Sequence, residues 1–182
     1  MLLQLVAHHP EAIGPILRQT PTWVWGLLAG LVALGITQLR DRTVGLARVS
    51  LLPASMTVFS VWGTFSALGG SPHLAGVVAC WLIAAAVSFA LLAPGAAAAQ
   101  FDAVQRTYRL PGSVVPLLLI VGIFLVKYVV GVELAMAPRL VQDAQYVLTV
   151  AGLYGAFTGI FVGRAARLWR LALRPAAAAM SA

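Results

Sequence analysis

Charge is scarce in this chain. Charged residues make up 9% of its 182 residues and only five are acidic, against about a quarter charged in an ordinary soluble domain. That composition excludes a domain wetted on all sides. Cysteine is almost absent: the lone Cys80 permits neither an intrachain disulfide nor a CxxC redox pair, and it leaves the redox compartment unread. The three histidines, His8, His9 and His73, all lie outside the long apolar runs. Haem held between membrane helices normally takes intramembrane His ligands, so no cofactor is expected. The same gap leaves the Ser and Thr residues near 55–66 without a base to activate them as nucleophiles. A metal held by His8, His9, Glu11 and His73 is the weaker reading of surface polar residues. Only Glu133 comes near the carboxylate that a proton-coupled carrier uses, and it falls at the expected outer interface.

What is abundant is apolar sequence. Hydrophobic residues reach 61%, gathered into five runs at 21–39, 49–68, 74–92, 114–136 and 144–163. Each is about the twenty residues that a helix rising about 1.5 Å per residue needs to cross a hydrocarbon core of about 30 Å. The fold class read from this pattern is all-α, a polytopic transmembrane helical bundle of five spans over residues 21–174. Little chain remains for a separate soluble domain.

The formal charge of +7 invites a nucleic-acid reading, which its distribution opposes. Arg40, Arg42, Arg48, Arg106, Arg109, Arg164, Arg167, Arg170 and Arg174 fall on one side of the spans, while Arg18 and Arg139 fall on the other. Nine against two sets the orientation by the positive-inside rule: N-terminus outside, C-terminus cytoplasmic. The expected partner of the basic side is a bilayer with anionic headgroups. Arg164, Arg167, Arg170 and Arg174 recur every three or four residues in a helical extension 164–174 and read as a lipid-headgroup anchor. A docking site for an acidic protein is the sharper alternative.

Residues 1–20 read as an outer interfacial segment, broken by Pro10, Gly14 and Pro15. Trp23 and Trp25 stand where the first span enters the membrane. Residues 93–100 read as a linker, and 101–110 as a short cytoplasmic hairpin with weak turn chemistry. Pro111-Gly112-Ser113 forms a turn with Ser113 as helix N-cap and Pro116 in the first helical turn. Pro175 ends the last helix, and 175–182 reads as a disordered tail.

Gly155, Gly159 and Gly163 make a GxxxGxxxG stripe, and Gly26 and Gly30 make a second such pair. Both read as helix-packing surfaces, within the bundle rather than between chains. Lys127 lies about 20 Å along the fourth span, past the midplane, where a charge normally faces protein or water. Helical side chains lean toward the N-terminus, here back into the membrane, which disfavours snorkelling to the outer headgroups. Residues of equal depth on other helices, Tyr146, Thr149, Trp62 and Thr64, complete a candidate polar layer around Lys127.

The segments TPTWVW (Thr20–Trp25), YRLPGSVVPL (Tyr108–Leu117), IFLVKYVVGVELAM (Ile123–Met136) and LYGAFTGIFVGRAARLW (Leu153–Trp169) resemble a family of small, uncharacterised multi-pass bacterial inner-membrane proteins. That resemblance runs from Thr20 to Arg174, with residues 1–19 longer than the usual start. It implies a bacterial inner (plasma) membrane location and no particular activity. A fainter likeness in layout is to membrane proteins accompanying cytochrome c biogenesis. Three functions stay open. The first is a non-enzymatic accessory or assembly protein, working as a homo-oligomer or with a membrane-protein partner. The second is a small oligomeric transporter or channel built around Lys127, and the third a redox or cytochrome-biogenesis helper.

Overall fold

Runs of Leu, Ala and Val, broken only where Gly, Pro and Arg cluster, form helices because little rotamer freedom is lost and few groups compete for the backbone. The computed structural model describes residues 13–95, 99–102 and 105–173. Its helices are α1 (Ile13–Gln19), α2 (Thr22–Ile36), α3 (Leu46–Leu68), α4 (Leu74–Leu92), α5 (Val115–Met136) and α6 (Ala144–Leu173). Three short strands are β1 (Arg42–Gly45), β2 (Gln100–Asp102) and β3 (Thr107–Leu110). Helices α2 to α6 are long and apolar enough to cross a membrane, α2 with the 3-10 turn Thr37–Leu39 that extends it. Most of the interfacial segment, Arg174 and the tail 175–182 lie outside the described residues, as do His8, His9 and Glu11.

The described chain divides into two units. In the first, α1, α2 and α5 come together. Helices α2 and α5 run antiparallel: Thr20 shares a 2.6 Å hydrogen bond with the Tyr128 hydroxyl, Gly35 lies against Leu117, and the Ser113 N–H donates to the Gln38 carbonyl at 3.0 Å. The close glycine of α2 is therefore Gly35, where an added Cβ would sit 3.2 Å from the Leu117 Cα. At Gly26 and Gly30, the expected pair, no described atom lies within 4 Å of a built Cβ. Geometry explains the difference. At 3.6 residues per turn, Gly30 and Gly26 lie about 140° and about 180° around the helix from Gly35, so one neighbour cannot meet both faces. Helix α5 starts one residue later than expected. Val114 occupies the cap position, and Ser113 serves instead through its hydroxyl, which accepts from the Val115 N–H at 3.3 Å.

The second unit holds α3, α4, α6 and the sheet. The glycine stripe of α6 lies on α4: Gly155 against the Trp81 backbone, Gly159 against Ala85 and Ser88, Gly163 against Leu92. Residue numbers rise together along this contact, so α4 and α6 run parallel. Small residues let two backbones approach closely, which gives dispersion contact where lipid and side chain are equally apolar. Helix α3 runs the other way, with Ser60 beside Thr158 and Ser50 beside Trp169. Asp143 opens α6, its carboxylate accepting from the Tyr146 N–H at 2.9 Å. That role was readable from an acidic residue just ahead of an apolar run.

The sheet has the order β1-β3-β2, all antiparallel. The hairpin expected within 101–110 is present, and it gains a third strand from Arg42–Gly45, between the first two spans. Four residues give no usable period, and their partner Thr107–Leu110 lies far away in sequence. Alternation puts Val44, Tyr108 and Phe101 in one cross-strand row and Thr43, Arg109 and Gln100 in the other. Tyr108 is fully buried, its ring 4.8 Å from that of Phe101, and its hydroxyl donates to the Leu168 carbonyl at 3.0 Å. The sheet is thereby fastened to the end of α6. Helix α3 begins at Leu46, earlier than the expected 49, because the Leu46 N–H reaches the Arg106 carbonyl of the hairpin.

Candidate functional site

Three helices of the second unit meet at one hydroxyl. Ser60 Oγ on α3 accepts from Trp81 Nε1 on α4 at 3.2 Å and lies 2.7 Å from Thr158 Oγ1 on α6. Thr158 also reaches the Tyr154 carbonyl at 2.9 Å. One turn along α3, Thr64 donates to the Ser60 carbonyl at 2.8 Å. Nearby, the Cys80 thiol donates to the Leu148 carbonyl at 3.3 Å. These groups spend their hydrogen-bonding capacity on each other and on backbone, as a helix–helix joint away from water requires. Ser60→Ala takes away the Trp81 acceptor. A double-mutant cycle with Trp81→Phe, followed by thermal unfolding in detergent, is expected to give a coupling of about 1 kcal/mol. Strict additivity would remove this contact from the list of those holding the bundle.

The residues expected around Lys127 are drawn from both units. Lys127 belongs to the first unit, and Trp62, Thr64, Tyr146 and Thr149 belong to the second. Thr64 is buried, but Trp62 is 73% exposed. Trp62 stands about 200° around α3 from Ser60, so the face that carries Ser60 and Thr64 inward turns Trp62 outward. Thr149 is exposed and donates to Gln145 of its own helix at 2.8 Å. The inward face of α6 is Val147, Val150, Ala151, Tyr154, Gly155 and Thr158. Rotation of α3 and α6 about their own axes decides which of these residues turn into the second unit.

The basic end of the second unit is built from the start of α3, the ends of α4 and α6, and the sheet. Two arginines of the expected headgroup anchor are bonded to backbone. Arg167 Nε donates to the Leu92 carbonyl and Arg170 NH1 to the Ala93 carbonyl at 2.6 Å. Both satisfy carbonyls at the C-terminus of α4, where no intrahelical donor remains and the helix dipole favours a cation. Gly95 leaves the Arg167 guanidinium room to lie against the backbone, since a Cβ there would be 2.6 Å from its Cζ. The segment expected as a loose linker is therefore held at its start, and Ala93 is buried. Arg164 is half-buried. Arg48, Arg106 and Arg109, from the two earlier connections, are exposed, as is Arg170 around its bond to Ala93. Arg42, half-buried, has its pKa lowered first by burial and then by the nearby positive charge of Arg48. Among the described residues no group of three His, Cys, Asp or Glu side chains is placed to hold a metal.

The class that this architecture defines is a mostly helical protein with five helices apolar enough to span a membrane. The chain belongs to the family of unknown function DUF6622, whose model matches residues 1–179. That match begins at residue 1, so the first nineteen residues are part of the family pattern rather than an extension of it. No curated protein and no solved structure matches the chain.

Proposed function

We propose that this is a five-span protein of the bacterial inner membrane, N-terminus outside and C-terminus cytoplasmic, that acts as a non-enzymatic accessory or assembly protein. The polar joint of Ser60, Trp81 and Thr158 carries this reading, because the interior polar groups are engaged in tying helices together. Helix direction supports the threading. Spans that alternate across a bilayer must place the second antiparallel to the fifth and the third parallel to it, the arrangement of α3, α4 and α6. The first and fourth must oppose each other, as α2 and α5 do. Seven arginines of the second unit (Arg42, Arg48, Arg106, Arg109, Arg164, Arg167, Arg170) belong to one of its ends. The opposite end, 69–73 and 141–145, has no Lys or Arg. A partner-facing surface is offered by α3, where Val58 is 67%, Phe59 62% and Trp62 73% exposed on neighbouring positions.

Threading is tested with single cysteines in a Cys80→Ala background. His73→Cys is expected to react with an impermeant maleimide on intact spheroplasts, and Gln105→Cys only after permeabilisation; the reverse pattern would invert the topology. The accessory reading expects the chain to migrate in an assembly larger than itself after mild solubilisation, and Trp62→Arg to disperse that assembly. A lone monomer under every mild detergent would overturn it.

A further inference from the structure

The sheet was not needed to span a membrane, and its outward row has no role in the packing just described. Thr43 and Gln100 flank Arg109 in register across three strands, all three exposed. Arg106 is exposed at the hairpin turn, held there with φ of 51°, a left-handed conformation uncommon outside glycine. Its carbonyl binds the Leu46 N–H, which brings the turn against the start of α3, two residues from the exposed Arg48. The two aspartates of this end are engaged by backbone: Asp41 accepts from the Gly112 N–H at 2.7 Å and Asp102 from the Gln105 N–H at 3.0 Å. Carboxylates used in this way stabilise turns while the arginines remain the outward charges.

Apolar neighbours say what covers these cations. Leu51, one turn along α3 from Arg48, is 69% exposed, and Leu46 is 37% exposed. At the same end, Leu91 of α4 is 77% exposed and Leu173 of α6 is 79% exposed. Arginines set directly beside outward leucines match the boundary between hydrocarbon and headgroup, where the stem lies among acyl chains and the guanidinium meets phosphate. An acidic peptide would complement the charge but not the leucines. The planar guanidinium also pairs with phosphate oxygens through two parallel hydrogen bonds.

We propose that Arg48, Arg106 and Arg109, on the start of α3 and the outward face of the sheet, form a binding surface for the phosphodiester headgroups of anionic lipids. This rests on the membrane reading given above and deepens it, assigning lipid recognition to the sheet and the start of α3 rather than to Arg167 and Arg170, whose guanidinium groups are already bonded to the Leu92 and Ala93 carbonyls. The test uses the full chain in mixed phosphatidylcholine and phosphatidylglycerol vesicles, comparing spin-labelled forms of the two lipids for immobilisation by the protein. A preference for phosphatidylglycerol is expected. Arg109→Gln, Arg48→Gln and Arg106→Gln should each weaken it about fivefold at low salt, while Arg109→Lys keeps most of it. Should the arginine variants not fold, Gln100→Glu adds a negative charge to the exposed row and is expected to weaken the preference with every arginine in place. An unchanged preference in all of these variants overturns the proposal. So does competition by millimolar inorganic phosphate, which would assign the surface to a free anion. Binding of soluble polyglutamate in neutral micelles, with no lipid preference, would assign it to an acidic protein segment and overturn it equally. A chain that fails to enter vesicles at all would instead defeat the membrane reading.

Discussion

Gly159→Leu, and equally Gly155→Leu, is expected to destabilise the α4–α6 pair by about 3 kcal/mol or more, enough to abolish the folded state in mild detergent. The size of the effect follows from what surrounds each position. A side chain at Gly155 would run into the Trp81 backbone, with Trp81 Cα 2.9 Å from the first added carbon. At Gly159 the obstruction is the Ala85 carbonyl group and Ser88 Cβ, the latter at 2.8 Å. Backbone cannot rotate out of the way as a side chain can, so the helices must separate. Separation also breaks the Cys80–Leu148 hydrogen bond that lies along the same contact. Gly26→Ala supplies the contrast. Nothing described lies within 4 Å of its added Cβ, and the exchange is expected to be neutral or stabilising by up to about 1 kcal/mol. Unfolding by dodecyl sulfate in mixed micelles, followed by circular dichroism, reads both. Equal losses at Gly159 and Gly26 would mean that the glycine stripe does not set the packing of the bundle.

The second large effect is expected at Tyr108. Tyr108→Ala empties a fully buried site and removes both the Phe101 ring contact and the bond to the Leu168 carbonyl. Truncating a buried aromatic typically costs about 3–5 kcal/mol. The loss here falls first on the sheet, since a three-stranded sheet this short has no other buried aromatic pair to hold it. Rapid tryptic cleavage after Arg106 and Arg109 is the expected readout, with the helices still protected. Unaltered proteolysis would show that backbone pairing alone retains the strands. Tyr108→Phe keeps the ring, deletes the hydroxyl and should cost about 1 kcal/mol. The two variants also differ from the parent in alkali. Burial raises the Tyr108 pKa above its ordinary value, so the folded state favours the protonated phenol. Its contribution is complete below the unfolded pKa of about 10 and is lost as pH rises through the higher folded value. The parent should therefore lose sheet protection in strong alkali by a step that Tyr108→Phe does not show. An identical alkaline profile in the two proteins would remove Tyr108 from that transition.

The same hydroxyl also illustrates why part of this molecule was unreadable from its sequence. Residues 101–110 read as a short hairpin, but nothing local says that Tyr108 is buried or that its hydroxyl meets Leu168. Likewise, RTVG at 42–45 carries no signal of its own; it is a strand because the hairpin leaves an edge for it to pair with. The spacing of Arg167 and Arg170 reads as part of one headgroup anchor; that their guanidinium groups bond to the Leu92 and Ala93 carbonyls depends on α4 ending beside them.

By itself the sequence determined that the chain is mostly helical, that five of its helices are apolar and long enough to span a bilayer, and where each begins and ends within a few residues; the all-α class it implied omits the three-stranded sheet. Those properties depend on composition and on the distance between charges, both of which are local quantities. It also marked Gly155, Gly159 and Gly163 as a continuous face, because their spacing closes on one side of a helix. Only the tertiary structure decided that this face meets α4, that Gly35 rather than Gly26 or Gly30 meets α5, and that Thr64 turns inward while Trp62 turns outward. The reason is rotational. In a chain apolar on every side, periodicity does not distinguish a face against lipid from a face against protein. Which face is buried is then chosen by close backbone approach and by a few hydrogen bonds, and these exist only once the helices are side by side.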